Sequence, residues 1–197
     1  YNGFGTAIVT GNTVKTVNGD GIHVETADVA TVSNNTVEEC DVGINGRHWE
    51  IRYYSYVNSS DAWASDIVIS NNTVRNNESR GISANHILRC TGNIISGNGV
   101  GYYGSGTGSF EGNHVLNNES WGIKVYGAQA IKNNIISGNN GAISYTAWYD
   151  ENELSSVSGW NPLPHESRAS QVVSGNIIHN NTGSPVVYFY AKRRIQY

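Results

Sequence analysis

The feature that most constrains the fold of this chain is an internal repeat, in which an asparagine is followed by a β-branched pair such as Thr-Val or Ile-Ile. Successive repeat asparagines are 23, 37, 21, 20, 21 and 42 residues apart, so the period is about 21 residues and two repeats carry insertions. A regular period over seven copies indicates a stacked repeat architecture. The repeat asparagines are Asn12, Asn35, Asn72, Asn93, Asn113, Asn134 and Asn176.

Each repeat is interpreted as three short strands separated by turns. An alternating strand precedes the asparagine, the β-branched pair forms a second strand, and a glycine seven to nine residues after the asparagine opens a third. These glycines are Gly21, Gly43, Gly81, Gly101, Gly122, Gly141 and Gly183. A coil of about 21 residues cannot bury its apolar face alone, so successive coils stack at about 4.8 Å and share one core. The stacked asparagines are expected to form a structural ladder of side-chain hydrogen bonds along one turn.

The pattern therefore predicts an all-β fold: a single-stranded right-handed parallel β-helix, a solenoid of about seven coils with two long aromatic loop insertions. Asn and Gly make up about a quarter of the chain, which suits many tight turns. No apolar run is long enough to span a membrane. With a net charge of −4 and no basic stripe, we expect no nucleic-acid partner.

Residues 1–197 are expected to form a single parallel β-helix domain. The chain begins at Tyr1 in the middle of a repeat, which favours a fragment or a processed piece of a longer protein. The two cysteines, Cys40 and Cys90, occupy non-equivalent positions in their repeats, so we expect two separate, half-buried thiols.

The succession of Asn-Asn-Thr-Val, then Gly-Ile, then a Val-x-x-Ser-Asn strand resembles the parallel β-helix repeats (PbH1-type) of the pectate-lyase-like superfamily. The resemblance covers essentially the whole chain and implies the fold. It implies less about function, because the superfamily includes polysaccharide lyases, glycoside hydrolases, uronate epimerases, phage tailspikes and adhesins. We expect a location outside the cell or on a cell or virion surface.

Both insertions, at about 47–65 and 145–170, follow the strand that the glycine opens, so they are expected on one face of the solenoid. At the standard strand spacing they stand about 19 Å apart and form two aromatic walls of a groove. Aromatic rings beside polar groups commonly hold sugars, although the same rings would also pin a long loop to the solenoid. The wall residues predicted to bind substrate are Trp49, Tyr53, Trp63, Tyr145, Trp148 and Trp160.

Strand alternation predicts the floor of this groove, if the residue after each glycine faces inward. The floor then carries one lysine and no carboxylate. Two floor residues, Ser83 and Asn85, are predicted to bind substrate. Four residues are candidates for catalysis: Lys124, Tyr126, Tyr103 and, at the end of a strand, His86.

Glycoside hydrolysis usually requires two carboxylates, so the floor favours a polysaccharide lyase over a glycoside hydrolase. In the superfamily, β-elimination on a uronate needs a base and a cation that neutralises the carboxylate. Lys124 with Tyr126 and Tyr103 would supply them, and His86 is a second candidate base. A lysine on the outside of a strand is also often just solvated.

No cofactor or metal is expected. The resemblance allows calcium, but no aspartate cluster like the calcium site of pectate lyases is present, and no histidine pair has a ligand spacing. Asp20, in a segment faintly similar to one of the polygalacturonases, is expected in a turn.

The predicted function is an extracellular β-helix that engages a polysaccharide, with elimination as the leading chemistry. The alternative is a structural or adhesive shaft of the tailspike, adhesin or filament kind. The chain lacks an amphipathic capping helix at either end and finishes on the strand-like run Val186–Tyr190. This alternative therefore includes axial self-association or flanking domains.

Overall fold

The computed structural model of the chain describes residues 6–25, 29–47, 65–85, 87–106, 108–127, 129–150 and 173–193. These residues form 21 β-strands, arranged as three parallel sheets of seven strands each. Consecutive strands belong to different sheets, so the chain winds around a common axis. The predicted all-β parallel solenoid is confirmed. Within the described residues, no helix is long and apolar enough to cross a membrane.

Sheet 1 contains the alternating strand that precedes each repeat asparagine. Its neighbours pair in parallel register, so that Val9 lies beside Val32 and Val32 beside Ile69. In order, the strands are β1 (Thr6–Thr10), β4 (Val29–Ser33), β7 (Ser65–Ser70), β10 (Ile87–Thr91), β13 (Ser109–Glu111), β16 (Ala130–Lys132) and β19 (Val173–Ser174).

Sheet 2 contains the short strand that follows each repeat asparagine. The β-branched pair supplies one inward residue per strand, and Val14, Val37 and Val74 lie side by side. In order, the strands are β2 (Thr13–Lys15), β5 (Thr36–Glu38), β8 (Thr73–Arg75), β11 (Ile94–Ser96), β14 (His114–Leu116), β17 (Ile135–Ser137) and β20 (Ile177–His179).

Sheet 3 contains the longer strand that the glycine was predicted to open. Ile22, Ile44 and Ile82 pair in register and face inward. In order, the strands are β3 (Asp20–Glu25), β6 (Val42–Arg47), β9 (Arg80–Asn85), β12 (Val100–Gly106), β15 (Trp121–Gly127), β18 (Gly141–Asp150) and β21 (Val186–Arg193).

One continuous apolar core runs along the axis between the three sheets. Its members include Val37, Ile69, Phe110 and Ile123, all fully buried. Each such side chain contributes about 1.5–3 kcal/mol relative to an exposed position. Because like residues stack on like residues in successive strands, the repeat itself supplies this core.

The predicted asparagine ladder is present at the turn between sheets 1 and 2. The backbone N–H and the side-chain Nδ2 of Asn72 both donate to Oδ1 of Asn93, at 2.9 Å each, and the pattern repeats from Asn12 to Asn176. The residue before each ladder asparagine is Gly or Asn with φ between 56° and 71°. These are the two residue types that adopt the left-handed conformation most readily, which accounts for the Asn-Asn and Gly-Asn pairs.

A second asparagine ladder, which the sequence analysis missed, lies at the turn between sheets 2 and 3. Asn77 donates from both N and Nδ2 to Oδ1 of Asn98, and Cys40 occupies the equivalent place before Asn77. The later members are Asn118, Asn139 and Asn181. The core and this ladder together explain the repeat glycines, because a Cβ on Gly43 would lie 2.6 Å from the backbone carbonyl oxygen of Gly81 and 2.8 Å from Nδ2 of Asn77, and closer still to the side chain of Val74.

The last two repeats depart from the predicted glycine positions. Ile143 pairs with Ile123, so Ala142 takes the place of the repeat glycine, and Gly141 pairs with Trp121. Strand β18 continues to Asp150, so residues 145–150 are strand, although the second insertion was predicted to begin at about 145. Residues 48–64 and 151–172, which hold most of both insertions, lie outside the described residues.

Both cysteines are buried as separate thiols. Cys40 donates to the backbone carbonyl of Glu38, and Cys90 lies in sheet 1 between Ile69 and Phe110. Burial raises the pKa of the Cys90 thiol well above its ordinary value. A thiol that stays protonated is a poor nucleophile, so Cys90 is a core residue.

Candidate functional site

The outer surface of sheet 3 brings together most of the polar and aromatic side chains predicted for the groove floor. Strands β9, β12 and β15 each turn one isoleucine or tyrosine inward, namely Ile82, Tyr102 and Ile123, and all three are fully buried. Their neighbours face outward. We call the following eight side chains the sheet-3 face: Arg80, Ser83, Asn85, Tyr103, Ser105, Trp121, Lys124 and Tyr126.

Arg80 lies flat against this face as a fixed cation. Its guanidinium carbon is 3.9 Å from the ring centroid of Tyr103, a cation–π contact. One guanidinium nitrogen, Nη1, is 3.5 Å from the hydroxyl of Ser83. Ser83 is only 8% exposed, so it supports Arg80 and offers little surface to a ligand.

Three of the four predicted catalytic residues lie together on this face. The ring centroids of Tyr103 and Tyr126 are 5.6 Å apart, and Nζ of Lys124 is 6.0 Å from the ring centroid of Tyr126. Burial, and then the neighbouring Tyr126, raise the pKa of the Tyr103 hydroxyl. A phenol with a raised pKa stays protonated at neutral pH, so Tyr103 carries a hydroxyl proton and does not act as a base in that state.

The remaining predicted residues have mixed placements. Asn85 is exposed and accepts a hydrogen bond from the hydroxyl of Ser105. Trp148 lies in β18, where its backbone pairs with that of Ala191. The predictions for His86, Trp49, Tyr53, Trp63 and Trp160 fall outside the described residues.

Tyr145 does not line the groove, contrary to the prediction. It pairs with Val125, is 3% exposed and belongs to the core. The prediction placed Tyr145 at the start of the second insertion, whereas β18 continues through it to Asp150. Because Ala142 takes the place of the repeat glycine and Ile143 pairs with Ile123, Tyr145 falls on the inward face of the strand.

Two members of the sheet-3 face, Arg80 and Trp121, were missed for one reason. Strict alternation backwards from the inward Ile82 places Arg80 inward as well. In the structure a Cβ on Gly81 would lie 2.7 Å from Ile95 and 2.8 Å from Asn98, so both Gly81 and Ile82 face the interior. The alternation therefore breaks at each repeat glycine, and the residue before the glycine faces outward.

A cluster of charged groups occupies the same surface at β3 and β6. Asp20 is the first residue of β3, not a turn residue as predicted, and its Oδ2 is 2.6 Å from Nδ1 of His23 and 2.8 Å from Nδ2 of Asn45. Nε2 of His23 is 3.7 Å from Glu25, which accepts a hydrogen bond of 2.7 Å from Arg47. Both carboxylates, of Asp20 and Glu25, therefore already have partners within this cluster. They belong to β3, which is four strand spacings, or about 19 Å, from the strand of Lys124.

The described part of the chain shows no arrangement of side chains that would form a metal site. No three side chains of His, Cys, Asp or Glu are grouped there so that they could hold a metal ion. The chemistry available on the sheet-3 face is therefore that of two cations, two interacting phenols, an indole and short polar side chains.

Comparison with known proteins gives one match. A family model described as a right-handed beta helix region matches residues 1–158, about four fifths of the chain. No curated protein and no solved structure matches the chain. The matched residues contain strands β1 to β18 of the three parallel sheets. The resemblance to pectate-lyase-like repeats is consistent with this family match. The chain belongs to the right-handed β-helix family.

Proposed function

We propose that the sheet-3 face binds an acidic polysaccharide outside the cell, and that it acts on it as a lyase. The observation that carries this proposal is Arg80, fixed over the ring of Tyr103, with Lys124 on the next strand but one. Strands β9, β12 and β15 contain no carboxylate. A cationic, aromatic surface without acidic groups is complementary to an anionic sugar polymer.

Each kind of group on this face has a counterpart in a uronate polymer. Guanidinium binds carboxylate through paired hydrogen bonds, and ring faces pack against the apolar C–H faces of sugars. Asn85 and Ser105 offer hydrogen-bonding groups to sugar hydroxyls. The polymer would lie along the solenoid axis and cross successive strands of sheet 3.

The elimination step assigns one role to each of three residues. Arg80 neutralises the uronate carboxylate, which makes the proton on the adjacent carbon more acidic. Lys124 removes that proton as the base, and the C–H electron pair becomes a carbon–carbon double bond as the glycosidic C–O bond breaks. The hydroxyl of Tyr103 donates a proton to the departing oxygen. The products are an unsaturated uronate end and a free hydroxyl end.

The test is incubation of the protein with a panel of uronate polymers while the ultraviolet absorbance of the unsaturated product is recorded. We expect product with the native chain and a loss of at least about a hundredfold in rate for Lys124→Ala. Lys132→Ala, on the outside of sheet 1, is the matched control and should keep the native rate. Binding without product would remove the lyase chemistry and leave a binding module. If no polymer binds, the proposal fails.

A further inference from the structure

The structure assigns a sugar-stacking platform to Trp121, whose indole rests on Gly141. The inference rests on the proposed function and deepens it, because it states which ring holds the polymer and which residue holds the ring. It concerns the one tryptophan that lies outside both predicted insertions.

The contact between the two residues fixes the orientation of the indole. Trp121 and Gly141 are register partners in neighbouring strands of sheet 3. A Cβ built on Gly141 would lie 2.4 Å from Cε3, 2.5 Å from Cζ3 and 2.8 Å from Cδ2 of Trp121. Cδ2 would be nearly as close as the other two atoms, which requires that a face of the ring, not its edge, be turned towards the glycine.

The glycine at 141 is not explained by the requirements of the fold. The repeat glycines are needed where a Cβ would strike the core or the second ladder, and in this repeat that place is taken by Ala142. Gly141 is also absent from the glycines with positive φ. The three atoms nearest to a Cβ at 141 all belong to the indole, so the missing side chain makes room for Trp121.

The proposal takes the other face of the indole as the binding surface. Trp121 is partly exposed, and Gly141 of β18 covers one face of its ring, so the opposite face is the one assigned to the ligand. A flat ring with one face seated on the protein and the other open offers the kind of surface on which the C–H face of a pyranose stacks.

The surroundings of the platform select the kind of sugar. Lys124 follows Trp121 on the same strand and also faces outward, and Arg80 is two strands, or about 10 Å, further along the axis. A pyranose on the indole therefore has the amino group of Lys124 beside it and the guanidinium of Arg80 near the following part of the polymer. The ligand class is a polymer of carboxylated pyranoses, with one uronate ring over Trp121.

The test uses two substitutions that disturb the platform in different ways. Trp121→Ala removes the ring, whereas Gly141→Ala keeps the ring and displaces it from its seat. We expect each to weaken binding of a uronate polymer by at least about tenfold, and Trp121→Phe to weaken it less. Lys132→Ala should bind as the native chain does. Thermal unfolding of each variant establishes that it is folded, and displacement of the indole by Gly141→Ala should shift the tryptophan emission to longer wavelength.

The outcomes separate this inference from the proposed function. If Trp121→Ala and Gly141→Ala bind with native affinity while Arg80→Ala or Lys124→Ala weakens binding, the platform is wrong and the proposed function stands. If the native chain binds no uronate polymer, both are wrong. If Gly141→Ala does not fold, Trp121→Ala alone decides, and native affinity in that variant overturns the platform.

Discussion

The asparagines of the first ladder combine two tasks in one side chain. Asn113 accepts two hydrogen bonds on Oδ1, from N and Nδ2 of Asn93, and its own Nδ2 donates to Oδ1 of Asn134 and to backbone carbonyls. It is fully buried. An asparagine at this turn therefore satisfies backbone donors as well as its own amide, which a buried turn must do in the absence of water.

Asn113→Ala should lower the free energy of unfolding by about 2–4 kcal/mol. The change leaves the buried N–H of Asn93 without an acceptor, which costs about 1–3 kcal/mol, and it removes one of the bonds made by Nδ2 of Asn93 and one of the two accepted by Oδ1 of Asn134. Asn12→Ala is the control, since Asn12 is exposed in the first repeat and should lose about 1 kcal/mol or less. Denaturant unfolding of both variants measures the difference. Equal losses would contradict the role assigned to burial.

Particular residues show which parts of the ladders and of the sheet-3 face the sequence predicts and which it does not. The first ladder was predictable because its asparagines stand two residues before a Val or Ile in every repeat. The second ladder was hidden because Val17 and Cys40 stand in the first two repeats where the later repeats have an asparagine. Tyr145 was misplaced because the length of β18 is not visible in the sequence, and Arg80 was not predicted because the alternation breaks at the glycine that follows it.

At the scale of the strands, sheet 2 carries an ion-paired row on its outer surface. Glu38 of β5 lies between Lys15 of β2 and Arg75 of β8, and it contacts both; its Oε2 is 2.5 Å from Nε of Arg75. The side chain of Glu38 is only 5% exposed between these partners. Hydrogen bonds from Lys15 and then from Arg75 lower the pKa of the Glu38 carboxyl. Three successive strands are thereby linked on the outside as well as through the core.

This row predicts a pH-dependent contribution to stability. A carboxyl whose pKa is lowered by folding stabilises the fold above its unfolded pKa of about 4.5, and the contribution is lost as the pH falls through the lower folded value. Glu38→Gln should therefore melt at a lower temperature than the native chain at pH 7, and the difference should shrink below about pH 4. Glu119→Gln, at an exposed turn, is the control. A difference in melting temperature that does not change with pH would contradict the assignment.

The strands also explain why the fold was more predictable than the site. The period of about 21 residues predicts which residues of successive repeats lie beside one another. Because each repeat holds three strands, stacked repeats form three sheets around one core. The sheet-3 face depends instead on contacts between side chains of different repeats, such as Arg80 on Tyr103 and Trp121 on Gly141. No single repeat contains either pair, so neither has a local sequence signal.

At the scale of the whole molecule, the solenoid separates stability from function. The ladders and the core repeat along the axis, whereas the cations and rings of the sheet-3 face are confined to the outside of a few strands. The chain has a net charge of −4, yet strands β9, β12 and β15 carry Arg80 and Lys124 and no carboxylate. Charge is therefore distributed unevenly, as a surface that attracts an anionic polymer requires.

The most direct test of the central proposal is a calorimetric titration with one uronate polymer and with the same polymer after its carboxyl groups are reduced to alcohols. If the sheet-3 face recognises an acidic polysaccharide through Arg80 and Lys124, the native polymer binds at least about tenfold more tightly, and its advantage falls as salt is added. Equal affinity for the two polymers, at low and at high salt, would contradict the account.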